Sequence, residues 1–237
     1  MPPTSAGHLE LSIVLPCLNE ARTLADCIRE VQQSFAENAI GGEIIVADNR
    51  STDDSRSIAT ELGAIVVDVP RRGYGHALLA GFDRARGDYI ILGDCDGSYD
   101  FSDIGLFLDR LRAGFSFVIG DRFKGGIEPG AMPWLHRYVG NPVLSGCGRL
   151  LFRTPIRNFH CGLRGIHRSI LPSLSLRCGG MELASEMVIR ATQQKHLIAE
   201  IPTRLRRDGR SRRSHLRTWR DGWRHLSLMA TLARSRG

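Results

Sequence analysis

Two carboxylates one residue apart, Asp94 and Asp96, leave the end of the run Tyr89-Ile90-Ile91-Leu92-Gly93. The run is short, apolar and bounded by glycine, which predicts a buried strand. In open α/β sheets, ligands bind beyond the C-terminal ends of the strands. A carboxylate pair there suits a hard divalent cation such as Mg2+ or Mn2+, which takes oxygen ligands and shares them with substrate phosphates. Taken alone, Asp-Cys-Asp is also an ordinary polar turn, and its surroundings must decide between the two.

Further polar sets follow other predicted strands. Pro16-Cys17-Leu18-Asn19-Glu20 and Asp48-Asn49-Arg50-Ser51-Thr52-Asp53 each end an apolar run. Asn, Asp and Ser are common turn residues, so each set alone is mere turn chemistry; three sets at one sheet edge form a constellation. Arg122, Arg164 and the Arg206/Arg207/Arg210 cluster would aim fixed positive charge at a phosphate. The glycines of Arg71-Arg72-Gly73-Tyr74-Gly75-His76 would let backbone approach a phosphate or sugar at a helix N-terminus, or simply make a tight turn. Glu182 and Glu186 stand four residues apart on one predicted helix, so both leave one face. Either would serve as a base for a hydroxyl acceptor, with Asp103 and His160 as weaker candidates, and the alternative is a helix salt bridge.

The elements that must position these groups alternate in the first half. Strands are expected at 11–15, ended by Pro16, and at 43–47, 64–69, 88–93 and 115–119. Helices are expected at 20–36 behind an Asn19 cap, from the 51–54 caps to about 62, at 75–86 and at 101–113. This rhythm predicts an α/β fold with a mostly parallel, Rossmann-like sheet covered on both faces. After Gly120 it breaks. Residues 133–152 read as a helix interrupted at Gly140-Asn141-Pro142, 180–194 as a helix, 197–201 as a strand and 214–234 as a last helix. The chain divides into a nucleotide half, 1–122, and an acceptor half, 123–237, sharing one core.

Pro16-x-x-Asn19-Glu20, Ala47-Asp48-Asn49-x-Ser51-Thr52-Asp53-Asp54 and Gly93-Asp94-x-Asp96-x-Ser98-Tyr99-Asp100-Phe101 together resemble a family 2 glycosyltransferase of the GT-A fold. Gly120-Asp121-Arg122-Phe123, Phe159-His160-Cys161-Gly162-Leu163-Arg164, the segment 180–187 and Asp208-Gly209-Arg210-Ser211 are similar to the polyprenyl-phosphate branch, the dolichol-phosphate mannosyltransferase-like enzymes. The resemblance runs from about residue 10 to about 228. It implies inverting transfer from a UDP- or GDP-sugar to a polyprenyl phosphate, with Mg2+ or Mn2+. It further implies that Pro16, Leu18, Asn19 and Glu20 line the nucleoside pocket and that Asp48 faces the base or ribose. Asp94, Cys95 and Asp96 would meet the metal and diphosphate, Gly73 and Gly75 the donor, and Arg122, His160, Arg164, Arg206, Arg207 and Arg210 the diphosphate or the acceptor phosphate. The chain departs from many relatives at Ala47, Ser98 and Asn158. A lipid phosphate is already an anion and needs no strong base, which would leave Glu186 to orient a positive group.

The whole composition agrees. At 237 residues, 42% hydrophobic and 24% charged, this is an ordinary globular chain. Its formal charge of +7 points to anionic partners. A basic nucleic-acid-binding module would explain that charge but not carboxylates at strand ends. The six cysteines form no CxxC pair, so a zinc site is not expected. Met1 to Glu10 lacks the apolar core of a secretory signal, and reduced thiols fit a cytoplasmic protein. No stretch reaches the ~20 apolar residues of a membrane span, so membrane contact would be peripheral, at the cytoplasmic face. Leu216, Trp219, Trp223 and Leu226 follow helical spacing with Arg217, Arg220 and Arg224 between them. That stripe would either pack on the sheet or lie at an interface. Trp134, Tyr138, Val139, Leu144, Leu150, Leu151 and Phe152 make a second apolar set, for a polyprenyl chain or for the core. A small soluble acceptor is the other reading of the same donor chemistry, and the oligomeric state is left open.

Overall fold

The computed structural model describes residues 9–209 and 218–234. Its centre is a seven-stranded sheet of order β3-β2-β1-β4-β6-β5-β7. The strands are β1 (Leu11–Cys17), β2 (Gly42–Asp48), β3 (Ile65–Asp68), β4 (Tyr89–Leu92), β5 (Phe117–Asp121), β6 (Arg164–His167) and β7 (Ile198–Pro202). All pairings are parallel except those of β6, which runs antiparallel to both β4 and β5. The longer helices are α1 (Leu24–Glu37), α2 (Ser55–Glu61), α3 (Tyr74–Arg84) and α4 (Ile104–Arg112). After the short α5 (Arg122–Gly125) come α6 (Asn141–Phe152), the short α7 (Leu171–Leu174), α8 (Leu183–Gln193) and α9 (Thr218–Arg234).

The core follows from the strand sequences. Leu11, Ile13, Val14 and Leu15 of β1 are wholly buried, as a strand covered on both faces requires. Each such side chain contributes about 1.5–3 kcal/mol on burial. α3 lies flush on β1 because Gly81 has no Cβ; one built there would stand 2.3 Å from Val14 Cγ1. That close approach fixes the start of α3 beside the ends of β1 and β4.

Four sequence expectations change. β1 does not stop at Pro16 but pairs with β2 as far as Cys17 and Asp48. Asn19 caps no helix: it sits at φ 58° and α1 begins five residues later, at Leu24. The helix expected over 133–152 does break at Gly140-Asn141-Pro142, but its first part is a π-helical turn, His136–Gly140, and α6 starts at Asn141 with Pro142 in its first turn, where a proline costs no hydrogen bond. β6 was not expected as a strand, since Arg-Gly-Ile-His offers one aliphatic residue in four. It matters most for the site. Arg164 pairs with both Leu92 and Ile119, so the chain entering β6 must cross the edge where β4 and β5 end.

Candidate functional site

The loops after β1, β2 and β3 are knitted together by their own polar side chains. Asn19 Oδ1 accepts from the Thr52 amide at 2.7 Å, and Ser51 Oγ accepts from the Asn19 amide at 2.9 Å. The Glu20 amide donates to Ser55 Oγ at 3.0 Å. Asn49 Oδ1 accepts from the Gly73 amide at 2.7 Å while its Nδ2 donates to the Arg71 carbonyl at 2.8 Å. Asp48, 1% exposed, accepts from the Ser51 amide and from Arg56, which also bonds Asp68. Pro16 and Leu18 remain half-buried on this floor, and Glu20 is buried. The turn chemistry is therefore real, and it makes a rigid floor at the ends of β1 and β2.

The carboxylate pair stands beside this floor. Cys95, between the two acids, points inward and donates to the Pro16 carbonyl at 3.1 Å. Thr23 Oγ1 donates to the Cys95 carbonyl at 2.7 Å. Asp96 Oδ1 accepts from the Ser98 amide at 3.0 Å. The Asp94 carboxylate lies against Gly162, where a built Cβ would come within 2.3 Å of Oδ2. Burial, with Asp94 adding to it, pushes the Tyr74 hydroxyl well above its ordinary value. Tyr99 Oη accepts from the Gly162 amide at 2.7 Å; burial raises it too, and it feels both the Asp94 charge and the opposing charge of Arg122. Tyr99 is thus within electrostatic reach of both the Asp94 carboxylate and the Arg122 guanidinium.

Three buried nitrogens have no partner among the described residues: Arg122 Nε, Asn158 Nδ2 and His160 Nδ1. Arg122 is 8% exposed, and its Nη2 donates to Asn158 Oδ1 at 2.9 Å. His160 shares a hydrogen bond with Ser185 Oγ at 3.1 Å, and Ser185 shares another with His225 of α9 at 2.8 Å. Burial first, then the charges of His225, Arg122 and Arg164, hold His160 well below its ordinary value. Burial and Arg122 likewise depress His136. Unpaired buried polar groups are costly unless a ligand supplies their partners.

Several sequence candidates have other duties. Arg164 is 1% exposed and spends its guanidinium on the carbonyls of Cys161, Ala184 and Phe159, so it is a strut and not a phosphate ligand. Glu186 is buried, and its Oε2 accepts from the amides of Arg177 and Cys178. Glu182, at the N-cap of α8, pairs with Arg224 at 2.7 Å. Asp103 is raised by burial and by Asp100, and lies in a one-turn helix, Phe101–Asp103, beyond the pair. Arg206 bonds Glu30 and Asp100, and Arg207 bonds Glu128 and the Pro129 carbonyl, so both are held by protein groups. Arg210 lies outside the described residues. Gly73 and Gly75 do allow a close backbone approach, but to protein: a Cβ on either would fall 2.1 Å from the carbonyls of Gly179 and Cys178 respectively.

Sequence reasoning missed Tyr74, Tyr99, Ser185 and His225. The tyrosines sit inside motifs that had been read for their acids and glycines. His225 gives no local signal, because only the packing of α9 brings it to His160, with ring centroids 4.6 Å apart.

The donor set suits a particular kind of cation. Among the described residues no cluster of three or more His, Cys, Asp or Glu side chains is placed to hold a metal. Two carboxylates without a third protein ligand fit a hard ion that completes its shell with substrate phosphate and water.

Residues 12–175 match the family model described as Glycosyl transferase family 2. A low-salt glycan biosynthesis hexosyltransferase of Haloferax volcanii is 40% identical over 221 residues, covering 92% of this chain and 52% of that protein. The chain therefore spans about half the length of that relative. A dolichyl-phosphate hexose transferase of the same organism is 27% identical over 193 residues, covering 81% of each. Among solved structures, glucosyl-3-phosphoglycerate synthase of Mycobacterium tuberculosis, in complex with Mn2+, UDP and glucosyl-3-phosphoglycerate, superposes with a TM-score of 0.70 at 24% identity. That match covers 97% of this chain and 77% of the other. The sheet, its flanking helices and this likeness establish the expected GT-A type architecture.

Proposed function

The chain belongs to glycosyl transferase family 2, and on that premise we propose that it moves a sugar, with inversion, from a nucleotide-sugar to a polyprenyl phosphate. One observation carries the reading: Tyr99 feels both the Asp94 carboxylate and the Arg122 guanidinium, and buried nitrogens of Arg122, Asn158 and His160 have no partner among the described residues. The acids suit a cation-bound diphosphate and the nitrogens suit a second anion.

Asp94 and Asp96 would hold Mg2+ or Mn2+, which supplies Lewis-acid stabilisation of the charge growing on the departing nucleoside diphosphate. The loops ending β1 and β2 bind the nucleoside on their pre-bonded floor. Arg122, Asn158 and His160 donate to the phosphate of the acceptor and orient its nucleophilic oxygen. That oxygen forms a bond to the anomeric carbon as the bond to the donor diphosphate breaks. The acceptor is an anion, so no proton has to be moved, in keeping with a Glu186 carboxylate already held by two backbone amides. Donors fixed in a buried site act without reorganisation, and each is commonly worth 100-fold or more in rate.

The dolichyl-phosphate hexose transferase relative supports a polyprenyl acceptor. A soluble phosphorylated acceptor is the second reading, since the structural neighbour is named for one. Incubation with labelled nucleotide-sugars, Mn2+ and polyprenyl phosphate separates them. Label in the organic phase upholds the proposal; label that passes only to water-soluble phosphate esters overturns the lipid acceptor.

A further inference from the structure

The outer layer formed by α6 and α9 carries an unusual surface. The two helices pack against each other and both pack on α8, so the faces they turn away from α8 lie on one side. α9 buries Asp221, His225, Met229 and Leu232. Its tryptophans therefore do not pack on the sheet: Trp219 is 85% exposed and Trp223 73%. α6 buries Ser145, Gly148 and Phe152 and turns out Val143 and Leu150, the latter 82% exposed. The π-helical turn before it and its approach expose Trp134 and Tyr138, whose rings touch with centroids 5.7 Å apart. Single exposed apolar residues are ordinary, but a group this large marks an interaction site.

Charge is divided in the same way. Residues 129–181 hold seven arginines and no acidic residue. Residues 209–237 hold eight arginines and one acid, Asp221, which is buried. The rest of the chain carries 17 Lys and Arg against 24 Asp and Glu, so it is net acidic. Within these segments Arg149 and Arg153 at the end of α6 and Arg220 of α9 are exposed, whereas Arg164 is buried in the sheet. No helix among the described residues is long and apolar enough to cross a membrane.

We propose that this face docks the chain on the surface of an anionic lipid bilayer. Trp and Tyr suit the interfacial zone, aliphatic residues such as Leu150 enter the acyl boundary, and arginines meet lipid phosphates. Nucleic acid would use the arginines and leave Val143 and Leu150 in water. The docked orientation also serves the proposed acceptor. His136, close enough to feel Arg122, lies in the same turn as Tyr138, so a phosphate at headgroup depth borders the unpartnered donors. Only this last step rests on the proposed function.

The chain reports on itself, because all three of its tryptophans, Trp134, Trp219 and Trp223, are exposed on or beside these helices. Vesicles of phosphatidylcholine with phosphatidylglycerol should float the protein and shift its emission to the blue; pure phosphatidylcholine should do so weakly. A Leu150→Ser, Trp223→Ser variant, altered only at exposed positions, should keep its melting curve and lose at least about tenfold in vesicle affinity. No flotation with anionic vesicles overturns the proposal. So does a blue shift produced by duplex RNA but not by lipid, or one that follows protein concentration without lipid, which would mark a second copy as the occupant. The assay contains neither donor nor acceptor. A chain that floats but glycosylates no polyprenyl phosphate sinks the acceptor alone; one that transfers in detergent but does not float sinks the docking face alone.

Discussion

The backbone amide of Gly209 donates to the carbonyl of Asp96 at 2.8 Å, so the segment after β7 is fastened to the carboxylate loop itself. A second rung joins the Arg206 amide to the Ser98 carbonyl at 2.9 Å. The Arg206 guanidinium then clips Glu30 of α1 to Asp100. Ser102 and this arginine bring the Asp100 carboxyl below its ordinary value against the opposing effect of burial.

Arg206→Gln should therefore disturb position more than stability. The pairs are about a third exposed, and such ion pairs contribute at most about 1 kcal/mol to folding. A carboxylate displaced by a fraction of an ångström costs far more in rate, and about a tenfold fall in kcat/KM is expected. Steady-state kinetics beside a urea melt checks this; a large loss of stability with unchanged kinetics would contradict it.

Arg122→Gln should lower kcat/KM for the acceptor about 100-fold and leave donor affinity unchanged. Arg122→Lys keeps the charge but loses the planar donor fork, so it should recover only part of the activity. Acceptor titrations at saturating donor separate the two effects.

Arg164→Leu should destabilise without touching any ligand. It strands the carbonyls of Phe159, Cys161 and Ala184 in the interior. At roughly 1–3 kcal/mol for each unsatisfied group, a loss of about 3 kcal/mol or more is expected. Denaturant unfolding measures it.

His225 is held at about 4, from an ordinary 6.5, chiefly because burial disfavours the imidazolium; Arg164 and Arg224 add to this and Asp221 opposes it. Above pH 6.5 the ring is neutral in folded and unfolded chains alike, and its full contribution is present. Between pH 6.5 and about 4 the unfolded chain binds a proton that the folded chain refuses, so stability falls as pH falls. The total is on the order of 3 kcal/mol. His225→Gln should flatten the slope between pH 6.5 and 5, read from melts at stepped pH, and an unchanged slope would contradict the assignment.

Much of this was legible in the sequence because the strands announce themselves. Asp94 and Asp96 follow a run that is buried for its own sake, and the parallel register carries their position with it. What was not legible depends on packing between distant segments. Gly73 and Gly75 read as ligand glycines because nothing local reveals that residues 178–180 press on them. Glu186 looked like a base on a helix face, but its partners are amides eight and nine residues upstream. Trp219 and Trp223 have the spacing of a packing stripe, yet α9 buries the face led by Asp221 and His225, whose polar character hid it. β6 escaped because four residues with one aliphatic carry no strand signal, and without β6 nothing places Gly162 against Asp94.

The central claim is that Asp94 and Asp96 hold a divalent cation against a nucleotide-sugar diphosphate. Calorimetric titration of UDP- and GDP-sugars, with and without Mn2+, tests it most directly in the native chain and in Asp96→Asn, each verified as folded by its melting curve. The account predicts donor binding that needs Mn2+ and weakens at least about tenfold in the variant. Equal affinity in chelator, or undiminished Mn2+-dependent binding by Asp96→Asn, would contradict it.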